Sequence, residues 1–162
     1  MHLFTTYYSS PVGLLEIQCS DKYIKSLLFA ENENVETAEH PLLQKCIKQL
    51  DEYFKGRRKE FNLPLNQDGT EFQQKVWNLL YQIPYGKTIS YNTLAKQYGD
   101  VKAIRAAASA NGKNNIAIIV PCHRVIGSDQ SLVGYGGGLW RKKWLLDHEA
   151  KYTYGIIELE FI

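Results

Sequence analysis

Cysteine is scarce in this chain. Cys19, Cys46 and Cys122 are the only three, too few and too irregularly spaced for a paired disulfide framework. That usage is expected of a protein kept in a reducing cytosol. No run of about 18 apolar residues exists, so no membrane-spanning helix is expected. The stretch from Met1 to Thr6 lacks the basic start and apolar core of a secretory signal, and a cytoplasmic location follows as the expectation. Metal-site spacing is missing as well. His2, Cys19, His40, Cys46, Cys122, His123 and His148 contain no C-x2-C or H-x3-H pair, which argues against zinc. A phosphate-binding glycine loop, a dinucleotide fingerprint and the HExxH motif are absent too, so no cofactor is expected. Gly134-Tyr135-Gly136-Gly137-Gly138 is too loose for a nucleotide signature and suits a tight turn or the close approach of a ligand.

What is present is enough apolar residue, 44% of 162, for one good core or two small ones. The net charge of +2 is unevenly placed. Residues 1–64 carry 8 Lys and Arg against 9 Asp and Glu, whereas residues 65–150 carry 10 against 6. The second half is therefore the one suited to a polyanion, although many ordinary domains show such an excess.

Three strand-like runs open the chain, at 3–8, 13–19 and 23–29, each bounded by turn residues. A polar, acidic loop follows, and Pro41 suits the first turn of a helix carrying Leu42, Leu43, Cys46, Ile47, Leu50, Tyr53 and Phe54 at helical spacing. A short break near 62–66 separates two regions that are expected to dock rather than swing freely. Beyond it Thr70-x-x-Gln73 reads as a capping box, with Phe72, Val76, Leu79, Leu80 and Ile83 forming an apolar stripe. Ser90 is expected to cap a helix from Tyr91 to Tyr98 that ends at Gly99, and Asp100 to cap a second helix that stops near Gly112. Helix, glycine turn, helix is the DNA-binding helix-turn-helix pattern. Its second helix is nearly all small residues, Ala106, Ala107, Ala108, Ser109 and Ala110, behind a projecting Arg105; an Ala-rich helix packed in a core fits equally well. Residues 116–120 read as a buried strand, residues 139–149 as a helix with Trp140, Trp144, Leu145 and Leu146 inward, and residues 156–161 as an added edge strand. Arg141, Lys142 and His148 are expected at the surface, Trp77 and Trp144 in the core, and Tyr135 either in the core or lining a pocket.

Of the cysteines, Cys19 and Cys46 fall on apolar faces and are expected to be small buried hydrophobes. Cys122 differs. It follows Pro121 at the end of an apolar run, and His123 and Arg124 beside it favour the nucleophilic thiolate. On an extended backbone adjacent side chains point opposite ways, so a direct Cys122–His123 contact requires a sharp bend or an intervening water.

Val120-Pro121-Cys122-His123-Arg124-Val125 resembles the signature of the O6-alkylguanine-DNA alkyltransferase family. The segments 84–91, 134–139 and 143–149, and the Ala-rich helix with Arg105, fit the same family, strongly over 68–150 and only in topology over 1–64. The resemblance implies an α/β (α+β) architecture. An N-terminal ribonuclease H-like sheet with a helix, residues 1–64, docks to a C-terminal winged-helix-like, helix-turn-helix domain, residues 65–162. It implies DNA repair by direct reversal. Cys122 takes a methyl or larger alkyl group, once and irreversibly, from O6 of guanine, with O4 of thymine as a second substrate. The roles it implies are these: His123 deprotonates Cys122 through a water, Glu149 holds the imidazole, Asn114 orders the active-site turn, and Tyr91 donates to N3 of the extruded base. The Val125 carbonyl, Tyr135 and the Gly136 amide surround the base, where some relatives have a serine at the last position. Arg105 fills the hole left by base flipping, and Ala106, Ala107, Ala108 and Ser109 lie in the minor groove. The partner implied is double-stranded DNA containing O6-alkylguanine, met by a monomer, with cooperativity on DNA left open. The zinc ligands that some relatives carry are absent, so no metal is expected. Two other readings remain: a non-enzymatic lesion-binding protein of the alkyltransferase-like kind, in which tryptophan replaces the acceptor, and a cysteine hydrolase.

Overall fold

In the computed structural model the described residues are 2–155, so the edge strand expected at 156–161 lies outside them. Two compact units result: residues 1–68 with 115–117, and residues 69–114 with 118–162.

The first unit is an antiparallel meander of β1 (Phe4–Ser10), β2 (Gly13–Cys19) and β3 (Ile24–Ala30). Alternation along β2 sends Leu15, Ile17 and Cys19 inward, all fully buried, as a half-covered antiparallel sheet requires. Helix α1 (Pro41–Phe54) begins with its proline in the first turn, and Leu43, Cys46, Leu50 and Tyr53 supply its buried face. Its cap is His40, whose Nδ1 accepts from the Leu42 amide at 3.1 Å. The segments at 65 and 116 both attach to β3, through parallel bridges Ile24–Leu65 and Leu27–Ile116. Backbone pairing along the edge of β3 thus draws residues 65–68 and 115–117 into this unit, although a boundary at 64 assigns them to the second region.

The second unit is helical. Thr70 and Gln73 form the reciprocal capping box at the start of α2 (Glu71–Tyr81). Helix α3 (Tyr91–Tyr98) is capped by Ser90, whose hydroxyl accepts from the Thr93 amide at 3.0 Å, and it stops at Gly99 in the left-handed region, φ 112°. Asp100 caps a single 3₁₀ turn, Val101–Ala103, and α4 (Ile104–Gly112) follows. The expected second helix therefore starts three residues late in α form. Helix α5 (Leu139–Tyr154) runs past the expected end and closes at Gly155, φ 75°. Between α4 and α5 the backbone departs from expectation. Residues 116–120 are not a strand: Ile116 makes its one bridge and the chain then turns, with Ile118 at φ 71°. A β-branched residue there costs on the order of 1–3 kcal/mol and persists only where its surroundings dictate it. Every residue from Ile116 to Ile126 is buried, which is why the run reads as a strand from composition alone.

Candidate active site

The turn at Ile118 delivers the chain to an inverse γ-turn at Pro121 (φ −82°, ψ 65°), closed by the Cys122 amide donating to the Val120 carbonyl at 2.8 Å. A 3₁₀ turn, Cys122–Arg124, comes next. In such a turn successive side chains stand about 120° apart rather than on opposite faces. The geometric obstacle posed by an extended backbone is thereby removed. Asn114 braces the turn, its Nδ2 donating to the Val120 carbonyl at 2.8 Å. Asn111 adds a longer contact, Nδ2 to the Cys122 carbonyl at 3.4 Å.

The two-stranded parallel pairing of β4 (Ile89–Ser90) with β5 (Val125–Ile126) sets Ile89 opposite Val125. Because Tyr91 follows β4 directly and Cys122 precedes β5 by three residues, this register brings the first turn of α3 to the cysteine. Tyr91 is half-buried and donates to the Val133 carbonyl at 3.2 Å. Burial, and then the nearby sulfur, push its phenol upward.

Cys122 is 7% exposed. Burial raises its thiol above the ordinary value, against the opposing pull of the Asn114 amide and the Lys142 ammonium. The expectation that His123 and Arg124 favour the thiolate is therefore corrected: desolvation wins, and the cation that acts on the sulfur is Lys142. His123 is fully buried, and its Nε2 lies 2.7 Å from Oε2 of Glu149. An ionised carboxylate only accepts, so Nε2 carries the proton. Nδ1 is left as the basic nitrogen, with no hydrogen-bond partner among the described residues. Burial lowers the imidazole further than Glu149 raises it, and Arg124 and Lys142 add to the lowering. Burial alone would raise Glu149; its charged and hydrogen-bonded partners hold it far below the usual carboxylate range instead.

Arg124 completes this arrangement and was not singled out for it by sequence. Its Nε donates to Glu149 Oε1 at 2.8 Å, its Nη2 to Oε2 at 3.0 Å, and its Nη1 to the Ile83 carbonyl at 2.6 Å. Lys142, expected at the surface, is fully buried and donates from Nζ to the carbonyls of Val125 at 2.6 Å and Val133 at 2.8 Å. The signal for it was present: Lys142, Leu145, Leu146 and Glu149 share one helical face by spacing. His148 is likewise buried, stacked on half-buried Trp144 at 4.9 Å, whereas Trp140 is 56% exposed rather than inward. The Val125 carbonyl thus already holds one donor, with a second lone pair remaining. Tyr135 has an enclosed hydroxyl whose ionisation burial strongly opposes. Gly136 is exposed, and a Cβ there would meet nothing within 4 Å.

On α4, Arg105, Ala106 and Ser109 are exposed and Ala108 is intermediate. Ala107 is fully buried with Ala110 and Asn111 on the inner face, so it is removed from the set expected to meet DNA. A rotation of about 100° per residue carries the chain from one face to the other, and an all-small sequence hides which is which. Among the described residues no group of three or more His, Cys, Asp or Glu could hold a metal ion, and no helix is long and apolar enough to cross a membrane.

Fold and site together define a two-unit helix-turn-helix protein with a buried thiol beside a carboxylate-held imidazole. Comparison with known proteins makes this specific. Residues 3–67 match the ribonuclease-like domain of 6-O-methylguanine DNA methyltransferase, and residues 71–151 match its DNA binding domain. A constitutive methylated-DNA–protein-cysteine methyltransferase of Bacillus subtilis is 42% identical over 95% of this chain and 98% of its own. The crystal structure of Mycobacterium tuberculosis O6-methylguanine methyltransferase superposes with a TM-score of 0.86 at 40% identity, over 94% of this chain and 95% of that one. A structure of the Mycobacterium tuberculosis OGT in complex with DNA gives a TM-score of 0.84 at 42% identity, over 94% of each chain. The chain belongs to the 6-O-methylguanine DNA methyltransferase family.

Proposed function

We propose that this protein repairs DNA by moving an alkyl group from O6 of guanine to the sulfur of Cys122, once per molecule. The observation that carries the reading is the pairing of a buried thiol with a histidine whose Nε2 is committed to Glu149 and whose Nδ1 is left basic. A thiol that burial keeps protonated needs such a base at the moment of attack. The sulfur's proton passes through one water to Nδ1 of His123, Sγ bonds to the alkyl carbon, and the carbon–O6 bond breaks. Guanine departs with the electron pair and takes up a proton, so that the proton lost by sulfur is balanced on the base. Tyr91, at the base's N3, stabilises charge on the leaving group, while the Gly136 amide faces O6. The thioether has no good leaving group, and the thiol is not regenerated.

Access to O6 requires the base to leave the stack, which Arg105 aids by occupying its place. The exposed small residues Ala106 and Ser109 let α4 approach the minor groove closely. The partner is double-stranded DNA containing O6-alkylguanine, bound by a monomer, and the location is the cytoplasm.

The test is to mix the protein with a duplex bearing O6-methylguanine and weigh it. One methyl on Cys122 without turnover is expected, and Cys122→Ser is expected to bind the duplex and take none. Repaired duplex in excess of protein, or a methyl on another residue, would overturn the reading.

A further inference from the structure

Glu149 is asked to serve two side-chain donors at once, the imidazole of His123 and the guanidinium of Arg124. Its Oε2 meets His123 at 2.7 Å and Arg124 Nη2 at 3.0 Å, while its Oε1 meets Arg124 Nε at 2.8 Å and the Gly86 amide at 3.3 Å. Both oxygens are saturated in a place where the histidine and the carboxylate are essentially inaccessible. A buried carboxylate with only an imidazole for company gains by drawing a proton onto that imidazole, because an ion pair is cheaper there than a lone anion. A permanently charged guanidinium on the same carboxylate reverses this. The anion is already neutralised, so protonating His123 would add an uncompensated buried positive charge.

We infer that Arg124 is a positioning residue for the reaction: by forking onto Glu149 it keeps His123 neutral, in the Nε2–H tautomer, and so available as a base. This rests on the alkyl-transfer reading for its catalytic meaning but not for its electrostatic content. Other groups push the same way or are neutral in effect. Lys142, from α5, opposes protonation of His123, and Tyr85, whose ring faces the guanidinium at 5.7 Å, is an uncharged phenol. Cys122, the neighbour in the same turn, is a thiol. The lowered proton affinity of the imidazole agrees with this balance. The third donor of Arg124, to the Ile83 carbonyl at 2.6 Å, fixes the fork against the end of α2 and leaves it one orientation.

The experiment is a nitrogen-15 NMR titration of His123, run beside the pH dependence of single-turnover methyl transfer. In wild type the imidazole is expected to stay neutral and Nε2-protonated through neutral pH. Arg124→Met should raise its titration by about one unit or more, and cut transfer near pH 6 by about tenfold while the rate on the alkaline side recovers. The double variant Arg124→Met/Glu149→Gln removes the orphaned anion and should return the titration to a low value. Should Arg124→Met not fold, Arg124→Gln, which removes the charge but keeps a donor beside Glu149, is expected to raise the titration in the same direction, and an unshifted value in it would equally overturn the inference. A folded Arg124→Met with unshifted titration, a double variant with His123 still raised, or an imidazolium in wild type at neutral pH would each overturn the inference. Because the titration needs no DNA, a protein that follows it yet takes no methyl would sink the function proposed above and leave this one standing.

Discussion

Two glycines near the site impose different demands on the residue that occupies them. Gly86 sits at φ 77°, and a Cβ on it would collide with Thr153 on α5. Its amide also reaches Glu149 at 3.3 Å. Gly86→Ala is therefore expected to lose roughly 2 kcal/mol, read as a lower urea midpoint. Gly136 has an ordinary φ and open space. Gly136→Ser is expected to keep the wild-type midpoint and to transfer methyl at least as fast, since the added hydroxyl gives O6 another donor. A midpoint drop comparable to that of Gly86→Ala would contradict the assignment of open space.

At the scale of elements, α4 divides into a face that packs and a face that meets solvent. Ala107 is fully buried while Ala106, one residue earlier, is exposed. Ala107→Leu is expected to cost about 1–3 kcal/mol by overpacking. Ala106→Glu should fold normally and lose affinity for duplex DNA, through both bulk and like-charge repulsion of phosphate. Equal stability loss in the two variants, with DNA binding unchanged in the second, would reverse the faces. Helix α3 depends on the Ser90 hydroxyl, and Ser90→Ala is expected to cost about 1 kcal/mol in thermal or urea unfolding.

At the scale of the whole molecule, pH enters through two buried groups whose folded-state proton affinity is depressed. His123 in the native protein resists protonation, whereas the unfolded chain takes a proton below about pH 6.5. Stability is then expected to fall as pH drops through that value, because the unfolded state binds more protons. Glu149 acts in the same direction at lower pH. Its stabilisation is full above the ordinary carboxylate value and is lost as pH falls toward its own depressed one. Urea midpoints at about pH 7.5 and about pH 5.5 check the first effect, and His123→Gln should remove its slope. Alkylation belongs to this scale too. A group added to a sulfur that is only 7% exposed overfills its surroundings, and the methylated protein is expected to unfold more easily than the free form by about 1–3 kcal/mol.

Local chemistry was legible without coordinates. The capping box at Thr70 and Gln73, the cap at Ser90 and the stop at Gly99 each rest on residues within one turn of one another, and the strands of the first unit on β-branched and aromatic runs bounded by turn residues. The cysteine proposed as nucleophile stands out by its neighbours, while the pairing of His123 with Glu149 is reached through the family resemblance. Tertiary structure decided what depends on partners far along the chain. A run of apolar β-branched residues cannot say that Ile118 turns left-handed, because burial and not backbone form determines its composition. Arg141 and Lys142 read as surface residues, yet the carbonyls of Val125 and Val133 draw Lys142 inside. Nor does Arg124 advertise that it will share Glu149, a residue 25 positions away, with its own neighbour. Patterns of burial and capping are set by neighbours in the chain, whereas the sharing of one buried charge among several partners is set only when distant segments are brought into the same small, poorly solvated space.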